Sequence, residues 1–451
     1  MISHRPRPQS YVRWVLFLVV LPIIILAGDS SLSVGARAVA AAGALAQQEP
    51  PERFTQGIPW TGAPGIAETV AEIMAREASS AKTAEAAVFT PRELKPRLMA
   101  PRKIQGDASA PTVSQWPLPG EPRRSDAAPM PHNPQTVGTS FLGASRALGD
   151  SSFIPPDSMG AVGPSQALVI ANGRIKVFDK SGVLGGLNAT TDTFFASVRT
   201  ASASDPHVRY DRLSSRWFVT MIDVATVNRV LIAVSNASTI TDTSSFTFFS
   251  FQHDLVGTTP NADTGLFADY DTLGVDKFAL YVGVNMFTSA NAFRGTTGFV
   301  INKADLLAGT LTVTPFRQLA GFTCPSTGVY TPQGVNNDDP QATEGYFIGV
   351  DVCVFSKLVL RRVTNPGGTP SISGNLTLTV STTRYPIDQV ASGSTLPLDA
   401  IDERLFAASI HTNAITGAKT LWTAHSIEVN SSGVGTVGGG RNGPAGTRSG
   451  A

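Results

Sequence analysis

At intervals of about 60 residues, nearly continuous apolar segments of strand length follow short acidic loops. The clearest copy is Asp205–Ser238: a lead-in loop, a turn, the run Trp217–Ile222, a polar turn and the run Val230–Val234. Related runs stand at Ala279–Phe287, at Tyr346–Phe355 and at Leu405–Ile410, the last partnered by Thr420–Val429. Phe218, Tyr281, Phe347 and Phe406 align as equivalents, behind loops carrying Asp205, Asp269 and Asp271, Asp338 and Asp339, and Asp399. A strand with one face in water alternates apolar and polar residues, so runs without alternation imply strands covered on both faces. Upstream, Asn172-Gly173 between Gln166–Ile170 and Arg174–Asp179 is a tight-hairpin signal. No long helical pattern separates the units; Asn302–Gly309 is one or two helical turns at most. Tandem immunoglobulin-like sandwiches need longer units and alternating strands. The expected fold is all-β: a β-propeller of about five four-stranded blades, each sandwiched by its neighbours.

Composition sets the surroundings. A net charge of +1 gives no basic face for nucleic acid. Arg5, Arg7 and Arg13 precede the apolar run Trp14–Ala27, and Ala44-Leu45-Ala46 precedes Gln47. That layout reads as a secretory signal, or as an uncleaved N-terminal membrane anchor. The only cysteines, Cys324 and Cys353, fit an exported chain as a disulfide, with two buried thiols as the alternative. The expected organisation is a signal or anchor over 1–46, a Pro/Ala-rich disordered linker or pro-region over 47–134, the propeller over 135–430, and a Gly-rich disordered tail over 431–451. The expected location is secreted, periplasmic or cell-surface, as a monomer.

DPHVRYDRLSSRWFV, FADYDTLGVDKFALYVGVNMF, NKADLLAG and LWTAHSIEVN together resemble secreted bacterial β-propeller proteins of undefined activity. The resemblance covers about Phe153–Asn430. It implies export and a propeller, and brings no catalytic residues. Such proteins are expected to continue beyond LWTAHSIEVN, so the chain reads either as an incomplete copy or as a five-bladed ring with a tail.

For chemistry, Asp205, Asp269 and Asp339 are the candidate metal ligands: repeated carboxylates converging at one channel mouth would suit Ca²⁺. The competing reading is that each builds its own turn. His207 and Arg209, at the edge of the same loop, are the candidate ligand-binding pair. His425 reads as a core histidine, and with His411 it forms no zinc motif. Trp217 and Trp422 read as packing groups. The ordered part holds Glu344, Glu403 and Glu428, none with a distinguishing context, and Asn261–Phe267 matches only the Asp-x-Gly core of a sialidase Asp-box. No nucleophile elbow or nucleotide loop is present. The expected function is a binding or interaction module for an extracellular glycan or protein. The alternative is a carbohydrate-active enzyme, a glycoside hydrolase or sialidase-like protein using carboxylates at the channel mouth.

Overall fold

The computed structural model describes residues 53–83, 92–93, 105–106, 136–430 except 325, 326, 390 and 396, then 435 and 446–450. All lie in the compact unit 51–451. The expected signal or anchor over 1–46 lies outside the described residues. Among the described residues no helix is long and apolar enough to cross a membrane.

Four curled antiparallel sheets follow one another along the chain. Sheet 1 runs Met159–Val162, Gln166–Ala171, Arg174–Asp179 and Leu184–Ala189, each strand beside the next. Sheet 2 repeats the plan with Ala203–Asp211, Arg216–Asp223, Arg229–Ser235 and Ser245–Gln252. In sheet 3 the first strand is broken into Phe267–Asp269 and Gly274–Val275, before Ala279–Phe287, Phe293–Asn302 and Thr312–Ala320. Sheet 4 takes Val329–Asn337, Glu344–Asp351 and Lys357–Thr364, with Ser371–Ser373 and Leu376–Thr379 both on its outer side. The expected hairpin is present: Ala171 faces Arg174 across Asn172-Gly173, and Gly173 takes φ +89°.

The unbroken apolar runs have a direct cause. In Arg216–Asp223, Val219 and Met221 join a core shared with Leu168 and Ile170 of sheet 1, while Phe218 and Ile222 join a core shared with Leu280 and Val282 of sheet 3. In the same way Tyr281 meets Phe347 and Val359 of sheet 4, whose Ile348 and Val350 meet Leu405 and Ala408. Successive side chains point to opposite faces and both faces are covered, so polar residues have no place to alternate.

Three expectations need correction. First, the region read as linker is ordered over 53–83. Phe54–Gln56, Trp60–Thr61 and Ile66–Thr69 add edge strands to sheets 4, 3 and 2 in turn. The helix Val70–Thr83 then buries Val70 and Ile73 in the core of sheets 1 and 2. A reciprocal cap starts it: the Glu72 carboxylate accepts from the Thr69 N–H, and the Thr69 hydroxyl accepts from the Glu72 N–H. Strands of two to four residues are too short for a periodic signal, and these are held by backbone pairing to existing edges.

Second, the last unit differs from its predecessors. Leu405–Thr412 and Lys419–Ile427 form a hairpin whose first strand pairs in parallel with Val329–Asn337, Val335 facing Ala408. Phe218, Tyr281 and Phe347 are fully buried, whereas Phe406 is 43% exposed and Trp422 44%. Ala407, His411 and Trp422 face solvent, so neither the equivalence of Phe406 nor the packing role of Trp422 holds. Third, the Gly-rich tail contributes a strand, Gly446–Gly450, beside Lys419–Ile427. The expected Cys324–Cys353 disulfide is formed.

A backbone repeat marks where the sheets meet. Asp157, Asp205, Tyr270, Thr331 and Ile401 all take φ between 40° and 60°. Each lies at or near the start of its unit, and in sheets 2, 3 and 4 it stands at a break in the first strand: register shifts fall between Ser204 and His207 and between Tyr330 and Gln333, and Tyr270 lies between Phe267–Asp269 and Gly274–Val275. Positive φ is costly for a β-branched residue such as Thr331 or Ile401, so surrounding contacts must impose it.

Candidate functional site

The first strands of the sheets converge, and their positive-φ residues gather one polar cluster. Asp205 accepts from the Ser204 hydroxyl at 2.9 Å and from the Tyr270 N–H of sheet 3 at 3.1 Å. Its own N–H donates to Asn172 of sheet 1 at 2.9 Å, and the Asn172 amide donates to Asp157 at 2.6 Å. The guanidinium of Arg404, from the last hairpin, lies 4.4 Å from the centre of the Tyr270 ring. It also bonds Asp402 through two nitrogens, at 2.8 and 2.7 Å, and Asp402 accepts from the Tyr330 hydroxyl at 2.7 Å. Burial raises the Tyr270 pKa to about 12, so its hydroxyl stays protonated. Burial works against the Asp402 charge as well, but the Arg404 charge and hydrogen bonds outweigh it and hold the carboxyl below its usual range.

Buried asparagines fasten this centre. Asn172, Asn228 and Asn285 each accept, through Oδ1, the backbone N–H of a residue in the following sheet: Asp205, Ala268 and Thr331. Asn228 also donates to the Ala268 carbonyl at 2.7 Å. The Asn285 amide donates to the Thr331 hydroxyl at 3.0 Å, one of the contacts that impose the unusual φ there. Asn228 and Asn285 were legible only as polar letters in apolar contexts, such as Asn285 within GVNMF, and Asn172 only as a turn residue.

Among the proposed metal ligands, Asp205 and Asp269 flank Tyr270, but Asp339 does not join them. It follows the end of Val329–Asn337, forms an ion pair with Lys419 at 2.5 Å, and caps its own turn at the Gln341 N–H. The positive-φ position equivalent to Asp205 in sheet 4 is Thr331, which has no carboxylate. Among the described residues no group of three or more His, Cys, Asp or Glu side chains is placed to hold a metal ion. The Asp205–Asp269–Asp339 calcium site is therefore corrected: spacing of about 60 residues matched loops at opposite ends of the first strands. Nor does Asp205 act only on its own turn, because it reaches the backbone of the neighbouring sheet.

His207 and Arg209 lie further along the same first strand. His207 is buried, its Nδ1 has no hydrogen-bond partner among the described residues, and burial followed by repulsion from Arg209 lowers its pKa to about 3. Arg209 donates to the Val208 carbonyl at 2.8 Å and to Asn336 of sheet 4 at 3.2 Å. Asn336 also accepts from the Val275 N–H of sheet 3. Among the described residues no carboxylate pairs with Arg209, and burial lowers its pKa to about 10. The Arg209 guanidinium thus stands where three sheets meet without an ion pair among the described residues, while the Asp205 carboxylate acts on His207 beside it.

The remaining candidates are engaged elsewhere. Trp217 is fully buried and its indole N–H donates to the Ser238 carbonyl at 2.9 Å, a packing role. His425 is buried, with Nδ1 2.9 Å from the Glu403 carbonyl, as expected of a core histidine. Glu344 holds Arg362 through both carboxylate oxygens. The Asp-box-like Asp263 is buried, taking the Thr297 hydroxyl and ion-pairing with Arg317.

No protein-family model matches the chain, and no curated protein matches it. Solved structures give distant resemblances. A neuraminidase-like protein of A/flat-faced bat/Peru shares 8% identity over 63% of this chain and 67% of that one, with a TM-score of 0.32. The catalytic domain of a Coprinopsis cinerea α-L-arabinofuranosidase shares 9% over 65% and 88%, TM-score 0.31. An exo-1,5-α-L-arabinanase from a bovine ruminal metagenomic library shares 9% over 65% and 91%, TM-score 0.31.

Proposed function

We propose that this chain is an exported β-propeller, its five units standing round a common centre, that works as a binding module for an acidic extracellular polymer. The observation that carries the reading is Arg209. A largely buried guanidinium without a carboxylate is held at a desolvation cost, and an oxyanion from outside would supply the missing charge. Neutral His207 beside it adds polarity without a competing negative charge. Binding is favoured over hydrolysis by the state of the carboxylates. A glycosidase needs one acid with a raised pKa and a second carboxylate about 5–9 Å away across a groove. Asp402 is held low by Arg404, Glu344 is tied to Arg362, and Asp205 accepts from its neighbours. Asp276 is shifted upward by burial, but it is enclosed by the Tyr281 hydroxyl and two backbone N–H groups.

The test is retention of the full chain on immobilised acidic and neutral polysaccharides, with released reducing ends measured in the same wells. Acidic polymers are expected to retain the protein, Arg209→Gln to weaken retention at least tenfold, and reducing ends to stay at background. Turnover of any polysaccharide would overturn the binding-only reading.

A further inference from the structure

A second guanidinium without a carboxylate lies away from the centre, in a cleft between the outer parts of sheets 3 and 4. The cleft, of about 300 Å³, is closed on one side by the N-terminal strand Phe54–Gln56 and the turn after it, and is lined by Thr55, Thr258, Pro315, Arg317 and Arg361 among others. Arg361 lies on Lys357–Thr364, opposite Phe347. One of its terminal nitrogens donates to Asn375 Oδ1. Among the described residues its buried Nε has no hydrogen-bond partner and no ion pair reaches the side chain. Arg317, in the same cleft, is already neutralised: it pairs with Asp263 and donates to the His253 and Val256 carbonyls at 3.0 and 2.7 Å. The cleft therefore carries one positive charge that no carboxylate among the described residues neutralises, and no Asp or Glu lines it. Burial lowers the Arg361 pKa, the sign expected of a charge that the fold does not compensate.

We infer that this cleft is an oxyanion subsite, in which Arg361 receives a carboxylate or sulfate of an acidic saccharide through the terminal nitrogens of its guanidinium, with Thr55 and Thr258 lining the same cleft. A charge-assisted contact of this kind uses the outer end of the guanidinium and leaves its buried Nε untouched. The choice of a saccharide rests on the binding reading above; the site itself does not.

Calorimetric titration of the full chain with an oligogalacturonide, a sulfated oligosaccharide and a neutral galactan oligomer tests it, in wild type, Arg361→Met and Arg209→Gln. At least one acidic ligand should bind and the neutral one should not, with affinity falling as salt rises. Whichever acidic ligand binds identifies the group. Arg361→Met should lose at least tenfold in affinity for that ligand while melting at or above the wild-type temperature, because it removes a half-buried charge that no described carboxylate neutralises. Arg209→Gln should remove the central binding event and leave the cleft's, and Arg361→Met added to Arg209→Gln should abolish what remains, which separates failure of the cleft from failure of the central site. Equal binding by wild type and Arg361→Met, neutral-ligand binding of equal strength, or a lowered melting temperature in Arg361→Met would overturn the proposal.

Discussion

Lowering the pH from 7.5 to 5 should destabilise this protein through His207, a residue with no carboxylate hydrogen-bonded to it. In the unfolded chain a histidine titrates near 6.5, whereas in the fold burial and Arg209 place His207 at about 3. As pH falls below about 6.5 the unfolded state takes up a proton that the folded state refuses. The stabilisation is complete above that pH and is lost progressively down to the folded value. At pH 5 the gap is about 1.5 pKa units, or about 2 kcal/mol at 1.36 kcal/mol per unit. The side chain is buried, so screening by solvent takes little from this figure. Buried His253 is lowered as well and adds in the same direction, so the wild-type slope alone does not isolate one residue. His207→Gln does. Urea unfolding at pH 7.5 and pH 5, compared at matched m-values, should show the variant losing about 2 kcal/mol less than wild type across the interval. Titration of the His207 ring protons by NMR gives an independent reading. A midpoint above pH 5, or identical pH slopes in wild type and variant, would refute the assigned environment.

Other expectations follow from the same contacts. Asn228→Ala leaves the buried N–H and C=O of Ala268 unpaired and should cost about 2–5 kcal/mol in chemical unfolding. Replacing Cys324 by Ser opens a loop whose ends are 29 residues apart and should cost about 3.6 kcal/mol in the chain-entropy model, read as a lowered urea midpoint. Asp402→Asn leaves Arg404 with reduced compensation and should destabilise by about 3–5 kcal/mol at pH 7. Because the folded Asp402 pKa lies below the unfolded value near 3.9, the wild-type advantage should be present above that pH and fade as pH falls through the folded one. Unfolding curves at pH 7 and pH 3 check both halves of that statement.

The apolar runs by themselves determined that the strands would be covered on both faces. Val219 and Phe218 are neighbours in sequence and belong to different cores, and only such an arrangement leaves no polar alternation to read. Local chemistry was equally legible in the Asn172-Gly173 turn and in the single possible cysteine pair. The chain Arg53–Thr83 was not, because strands held by pairing to edges hundreds of residues away carry almost no pattern of their own. The exposure of Phe406 could not be read either: its segment is as apolar as its relatives, and what differs is whether a neighbour covers it. The same limit explains the misplaced aspartates. Composition marked acidic loops at regular intervals, but whether a loop stands at the beginning or the end of its strand depends on pairing register. Only the assembled sheets brought Asp205, Tyr270 and Arg404 together, left Asp339 to Lys419, and set Arg209 and Arg361 where no carboxylate among the described residues pairs with them. Those partners come from segments 60 to 200 residues apart, at distances that packing and pairing fix and that no local sequence pattern encodes.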